Sequence, residues 1–264
     1  MESLLIIKIG GILLNNNDAV KRLFKELSRH KRLTRQKVIF VNGAASFGHE
    51  LFNRVNGLDA DKNFLSVTQL NTKKILYSVL PNLVNIRLLA WSRKYNIFGQ
   101  GCLLSDFFSK LIDSCFDIDI TRSFLKKNEL PILKYSELIK ALLKKHITPF
   151  ICSLGIDTKG NIFHIDSDIV AAILAIIFNC RLIFLTDVSA VLNNKGQCIK
   201  TISSKQINNL ICSGVVSNGM ITKVQAASVV LRLLKKSVEI ASWHNINNIA
   251  DLFQGKSSGT RVIE

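Results

Sequence analysis

Short runs of consecutive apolar residues recur along the chain, separated by longer stretches in which apolar positions return every third or fourth residue. The first pattern predicts strands buried on both faces, and the second predicts amphipathic helices. The strands expected on this basis are Leu4–Ile7, Lys37–Val41, Asn96–Phe98, Thr148–Cys152, Arg181–Leu185, Val238–Ala241 and Arg261–Ile263. Between the first two, Val20, Leu23, Phe24 and Leu27 return at helical spacing behind Asp18, which is placed to cap. Further helices are expected at about 70–93, 136–145, 168–178 and 219–235. Strands alternating with helices predict an α/β chain, a three-layer αβα sandwich with a mostly parallel central sheet. No internal repeat or flexible linker divides it, so a lobe boundary falls only loosely near 178, giving an N-terminal lobe 1–178 and a C-terminal lobe 179–264. Residues 99–135 are the least legible and read as a helix and a hairpin over the sheet edge.

Composition narrows the function classes. A chain of 264 residues can bury a large core, as one α/β unit or as two packed lobes. Its formal charge of +16 raises nucleic acid as a partner, because a basic surface attracts phosphate without sequence readout. The lysines are scattered, however, and the doublets Lys126-Lys127, Lys144-Lys145 and Lys235-Lys236 end apolar helices, where cations favour the helix C-terminus. No finger, basic helix or aromatic RNA-reading pattern accompanies the charge, so no specific nucleic-acid partner is expected. The six cysteines, at 102, 115, 152, 180, 198 and 212, form no CxxC pair and mostly sit in apolar surroundings, which predicts reduced thiols in a cytoplasmic protein and no zinc site. "MESLLIIKIGG" has too short an apolar stretch for a secretory segment. The run "IVAAILAIIF", 169–178, is about half the ~20 residues that span a bilayer, and reads as a buried helix feeding a strand. No membrane partner is expected.

Parallel sheets bind ligands at the carboxyl ends of their strands. Four polar or glycine-rich turns are expected at such ends: "KIGG" (8–11), "VNGAAS" (41–46), "CSLG" (152–155) and "TDVSAVLNNKG" (186–196). In "KIGG", Lys8 and the backbone N–H groups around Gly10 and Gly11 are placed either to meet one anion or to form an ordinary surface turn. "HIDSDIVAA" sets Asp166 and Asp168 at the start of an apolar helix, as caps or as an acidic group that orients lysines. Lys223 falls in the first turns of the helix starting near Gly219, where a cation is disfavoured unless it faces an anion or is solvated. "GKSS" at 255–258 lacks the glycine a Walker A loop requires five residues earlier, and "NGAASFG" lacks dinucleotide-fingerprint spacing.

The stretches "LLIIKIGG", the turn at 41–46, "LLAW" at 88–91, "LTDVSAVLNNKGQ", "NGMITKV", "IASW" at 240–243 and "GTR" at 259–261 together resemble acetylglutamate kinases of the short enterobacterial type, within the amino acid kinase family. The likeness runs from "LLIIKIGGILL" to "GTRVI". Aspartokinase, glutamate 5-kinase, uridylate kinase and isopentenyl phosphate kinase share pieces of it without the ending "IASW…LF.G…GTR". The resemblance implies a carbamate kinase-like fold and phosphorylation of the side-chain carboxylate of N-acetyl-L-glutamate by ATP, the second step of arginine biosynthesis. It implies Mg2+ held mainly by the nucleotide phosphates, with no protein metal site. Lys8 and Lys223 match the lysines that clamp the transferring phosphoryl group, and Asp168 the aspartate that organises them. The nucleotide pocket matches Gly10, Gly11, Asp187, Val188, Ser189, Ala190, Val191, Leu192, Val215, Val216 and Ser217, and the acceptor pocket Gly43, Ala44, Ala45, Ser66 and His164. This agrees with the residues themselves, since in-line phosphoryl transfer needs charge compensation and positioning, and a carboxylate acceptor needs no general base. A cytoplasmic homodimer without ring-type arginine inhibition is implied as well, because the first strand begins within a few residues of Met1.

The sequence departs from the family on the acceptor side. "HGGG" reads "NGAA", so Ala44 and Ala45 replace glycines whose N–H groups hold the acceptor and the moving phosphate. Ser66 stands where an arginine grips the acceptor's α-carboxylate, and His164 and Asp166 stand where asparagines do. Three readings are open: a rearranged pocket for N-acetylglutamate, a kinase for another small acid, or a folded dimer with little activity. The scattered lysines yield the first prediction. Titration with duplex and single-stranded oligonucleotides at physiological salt will show only weak, unspecific attraction, and micromolar salt-sensitive binding overturns that expectation.

Overall fold

The computed structural model describes residues 4–34, 36–43, 65–105, 107–108, 118–127, 129–217, 219–244 and 246–264. Its strands are β1 (Leu4–Ile9), β2 (Lys37–Asn42), β3 (Gly99–Leu104), β4 (Thr148–Ile156), β5 (Ile162–His164), β6 (Arg181–Thr186), β7 (Thr201–Ser203), β8 (Val238–Ser242) and β9 (Thr260–Ile263). Its helices are α1 (Asn17–Leu33), α2 (Leu65–Lys94), α3 (Ile118–Lys127), α4 (Glu129–Lys144), α5 (Ser167–Ile177), α6 (Ser204–Cys212), α7 (Gly219–Leu234) and α8 (Ile246–Phe253), with a short 3-10 turn at Gly11–Asn15. The strands form one continuous sheet in the order β3-β4-β2-β1-β6-β8-β9-β7, and β5 pairs with β4 off this path. Pairing is parallel except for β4 with β5 and β8 with β9.

The apolar runs are continuous because both faces of the sheet are covered, and the strand's period of two divides them. Leu5, Ile7 and Ile9 of β1, Val38 and Phe40 of β2, and Ile183 and Leu185 of β6 join one core with α1, α2 and α8. Ile6, Ile39, Val41, Leu182 and Phe184 join the other, with α4, α5, α6 and α7. Lys8 shares the face of Ile6, so the register aims it at the layer holding α5 and α7.

The expected strand at Asn96–Phe98 is displaced. Asn96 instead follows α2 in a left-handed conformation (φ 56°), and β3 begins at Gly99. Glycines obscured this strand, and packing explains them: a Cβ at Gly99 would lie 2.8 Å from the Phe150 ring, and one at Gly101 2.6 Å from Asn85 Oδ1. Within 99–135 the described residues give β3, α3 and the start of α4, with no hairpin. "CSLG" is likewise no turn. It continues β4, because β5 supplies an antiparallel partner in which Leu154 faces His164 and Gly155 faces Phe163. Strand β7 and helices α6 and α8 lay outside the expected elements. The described cysteines carry free thiols, buried at Cys152 and Cys180 but exposed at Cys198 and Cys212. Among the described residues no helix is long and apolar enough to cross a membrane.

Phe150 is fully buried in β4 and stacks on Phe40 and Phe24 with ring centroids 5.1 and 6.2 Å away. Phe150→Ala will cost about 3–5 kcal/mol of stability, the range for emptying a packed aromatic site. A urea unfolding midpoint little changed from the parent overturns this.

Candidate active site

Three elements distant in sequence meet at the carboxyl edge of the sheet. Lys8 ends β1, Asp168 opens α5, and Lys223 lies in the second turn of α7. Lys8 Nζ is 2.7 Å from Asp168 Oδ1, and Lys223 Nζ is 3.0 Å from Oδ2, so one carboxylate holds both ammonium groups. Lys223 Nζ also donates to the Gly219 carbonyl at 3.2 Å. Lys8 is the one partner of Oδ1 among the described residues. Asp168 is 3% exposed and Lys8 6%. Burial by itself drives the Asp168 carboxyl up, but the charges of Lys8 and Lys223 outweigh it and hold the group below its ordinary value.

The Lys-Asp-Lys group lines a cavity of about 420 Å³, with Gly10, Gly11, Gly43, His164, Asp166, Asp187 and Trp243 also on its walls. The first turns of α5 and α7 both border it, which favours a negatively charged ligand. Helix α5 is started by Asp166, whose side chain accepts from the Asp168 N–H at 2.7 Å. Asp166 therefore caps, and Asp168 is the carboxylate that orients lysines. A second cavity, of about 330 Å³, lies at the amino-terminal edge of β2 and β4. Its Lys31 already donates to Thr148 Oγ1 (2.7 Å) and the His146 carbonyl (3.3 Å), and none of the Lys-Asp-Lys group reaches it.

Gly43 ends the described part of the turn after β2. A Cβ there would fall 2.2 Å from Ser167 Oγ, so the start of α5 can approach only a glycine. The Gly43 N–H makes a long bond (3.4 Å) to the Ile9 carbonyl, so Gly43 serves chiefly by lacking a side chain. Ala44 and Ala45 lie outside the described residues, and Ser66 is in the first turn of α2 with its side chain outside them. Strand β2 is fixed beside the turn by buried Asn42, which donates to the Pro81 carbonyl (3.1 Å) and accepts from Asn85 (2.8 Å). His164, at the end of β5, shares a 3.2 Å hydrogen bond through Nε2 with the buried Ser153 hydroxyl. Burial lowers the pKa of its imidazole, and Asp166 partly opposes that.

In the loop after β6, Asp187 lines the cavity and Thr186 Oγ1 donates to its Oδ1 at 3.0 Å. Ala190, Val191 and Val216 are core residues, and the Val191 N–H donates to Thr260 Oγ1 (2.8 Å), which fixes the loop. Val188 and Leu192 remain partly exposed, Val215 is half-buried, and Ser189 and Ser217 are exposed. Ser167, Thr186 and Trp243 also line the cavity; they fall within "HIDSDIVAA", "TDVSAVLNNKG" and "IASW" but were not themselves among the expected site residues. Trp243 sits at the sheet's carboxyl edge because its N–H bonds the Thr186 carbonyl (3.1 Å).

This fold and site define a class. The chain belongs to the amino acid kinase family, whose model matches residues 3–242. Among curated proteins it is similar over its full length to acetylglutamate kinases. It is 34% identical to that of Buchnera aphidicola subsp. Schizaphis graminum over 263 residues, covering 100% of both chains. It is 32% identical to that of Pectobacterium atrosepticum over 259 residues, covering 98% of each. Two solved structures share the fold: carbamate kinase from Giardia lamblia (TM-score 0.64, 16% identity, 100% of this chain and 99% of that one) and N-acetylglutamate synthase from Neisseria gonorrhoeae (TM-score 0.67, 16% identity). The match to the synthase covers 99% of this chain but 59% of that protein's length.

Because the folded pKa of Asp168 is depressed, the stability it contributes is complete above the ordinary carboxylate value of 3.8 and is lost as pH falls through the folded value. Asp168→Asn leaves two cations without their anion and will cost about 3–5 kcal/mol at neutral pH. It will also flatten the acid limb of the stability profile. Denaturant unfolding over a pH series reads both effects.

Proposed function

We propose that the protein transfers the γ-phosphoryl group of ATP to the side-chain carboxylate of N-acetyl-L-glutamate, giving N-acetyl-L-glutamyl 5-phosphate for arginine biosynthesis. The observation that carries this reading is the Lys8–Asp168–Lys223 group at the cavity wall. In the reaction a carboxylate oxygen bonds to Pγ while the bond from Pγ to the β–γ bridging oxygen breaks, and ADP leaves with that electron pair. The acceptor is already ionised, so no residue has to remove a proton. Lys8 and Lys223 are the catalytic residues, stabilising charge on the transferring oxygens, and Asp168 is the positioning residue that holds both. We assign Mg2+ to the nucleotide's own phosphates.

The two sides of the cavity divide the work. Gly43 and His164 belong to residues 1–178, assigned to the acceptor together with Ala44, Ala45 and Ser66, while Asp187 and Gly219 belong to 179–264, assigned to ATP. Gly10 and Gly11 offer backbone groups to the phosphates, and Val188, Leu192 and Val215 offer apolar surface to the adenine. His164 takes the acceptor's α-carboxylate in place of an arginine at Ser66. We assign the protein to the cytoplasm as a homodimer, for which exposed Leu83 and Ile86 on α2 offer apolar surface.

A coupled ADP-release assay with N-acetyl-L-glutamate tests the reading. Lys8→Ala and Lys223→Ala will each lower kcat by about 10²–10³-fold, the range for losing one preorganised donor. Calorimetric MgATP affinity will change far less, since the strongest lysine contacts belong to the transition state. Retained turnover in both variants overturns the assignment.

A further inference from the structure

The cavity of about 330 Å³ at the amino-terminal edge of β2 and β4 gathers cations from three elements. Lys31 and Arg32 come from the last turn of α1, Lys37 from the start of β2 and His146 from the turn after α4. Cations beside helix C-termini have an ordinary duty, holding the last carbonyls and opposing the dipole. Here the backbone does most of it. At the end of α4 the Ile147 N–H bonds the Leu142 carbonyl (3.0 Å) and the His146 N–H the Leu143 carbonyl (3.1 Å), a closure His146 permits by taking φ 59°. At the end of α1 the Thr34 N–H bonds the His30 carbonyl (2.9 Å). Arg32 gives Nε to the Ser28 carbonyl (3.3 Å), and the two terminal nitrogens of its fork remain for a ligand. Lys31 is half-buried and donates to two uncharged oxygens, Thr148 Oγ1 and the His146 carbonyl. Burial lowers its pKa, and no anion among the described residues offsets that. The same wall carries apolar surface, with Leu143 buried, Ile147 half-buried and Leu33 left 71% exposed.

We propose that this cavity is a second ligand site, which takes a small organic phosphate: the phosphate group on Lys31, Arg32 and Lys37, and the carbon body against Leu33 and Ile147. A phosphomonoester carries close to two negative charges and three strong acceptor oxygens, so it can meet a guanidinium fork and two ammonium groups at once. A single carboxylate offers half that charge. The volume falls within the roughly 300–1,000 Å³ of small-molecule sites, which combine apolar wall with a few fixed polar groups. The site lies at the amino edge of the sheet, away from the Lys8–Asp168–Lys223 group at the carboxyl edge, so the inference stands apart from the kinase reading.

Phenyl phosphate is the probe, titrated by calorimetry into the full-length protein at low ionic strength, with inorganic phosphate and phenol as its separate halves. It will bind more tightly than either half. Lys31→Gln keeps a donor for Thr148 Oγ1 while removing the charge, and Arg32→Gln changes an exposed side chain outside both cores. Each will weaken phenyl phosphate binding at least about tenfold, as loss of a charged hydrogen bond requires. Lys8→Ala, at the other edge, will leave that affinity unchanged. Should Lys31→Gln lower the urea unfolding midpoint, Arg32→Gln carries the test alone. Absence of saturable binding, equal affinity for inorganic phosphate, or binding lost in Lys8→Ala and kept in both amino-edge variants overturns the proposal. None of these readouts depends on turnover, so this inference and the kinase reading fail separately.

Discussion

The buried carboxylate of Asp168 is the joint on which the carboxyl edge of the sheet depends. It takes one ammonium from the central strand and one from α7, and it is itself carried by α5. Desolvating three charges is costly, and an apolar trio of similar volume would hold the same three elements at least as well. What an apolar trio cannot supply is a pair of cations at a fixed spacing, facing a cavity bordered by the first turns of two helices. One buried anion between two lysines keeps them from repelling each other and leaves excess positive charge at the cavity wall.

The scaffold makes that joint possible by close approach. Gly43 lets Ser167 come against β2, which sets the start of α5 and so the position of Asp168. The antiparallel extension of β4 with β5 carries His164 over the carboxyl edge, and the buried Ser153 hydroxyl fixes its ring. At the C-terminal end the buried Glu239 joins β8 to β9 through Arg261 and takes a 2.8 Å hydrogen bond from Ser257, while the Thr260 hydroxyl anchors the loop after β6. The two sides of the cavity are thus built differently. The side carrying the loop after β6 is pinned by core residues, Ala190, Val191 and Val216, whereas the side formed by β5 and the start of α5 ends in polar groups, His164 and Asp166.

Much of this was legible from one sequence. Alternation of apolar runs with helical spacing is local, so β1, β2, β4, β6 and β8 and helices α1, α5 and α7 fall close to their expected places. Legibility failed where a residue's reason lay in a distant neighbour. Gly99 and Gly101 weaken the apolar signal of β3 because Phe150 and Asn85 press against them. "CSLG" resembled a loop because its partner strand, β5, is only three residues long. Ser167, Thr186 and Trp243 lie inside quoted motifs, yet no local spacing singled them out as lining the cavity.

By itself the sequence determined the α/β class, the doubly covered sheet, the strand-end placement of Lys8 and the family, because those follow from short-range periodicity and from motifs read in place. Read residue by residue it left Asp166 and Asp168 each open as cap or orienting carboxylate, and Lys223 either solvated or paired, with only the family resemblance pointing to Asp168 and Lys223. Only the tertiary structure decided these questions, making Asp166 the cap and Asp168 the partner of both lysines. The reason is topological. Strand order sets β1 between β2 and β6, and register turns Lys8 toward α5, so residues far apart in the chain meet at distances that no local spacing encodes.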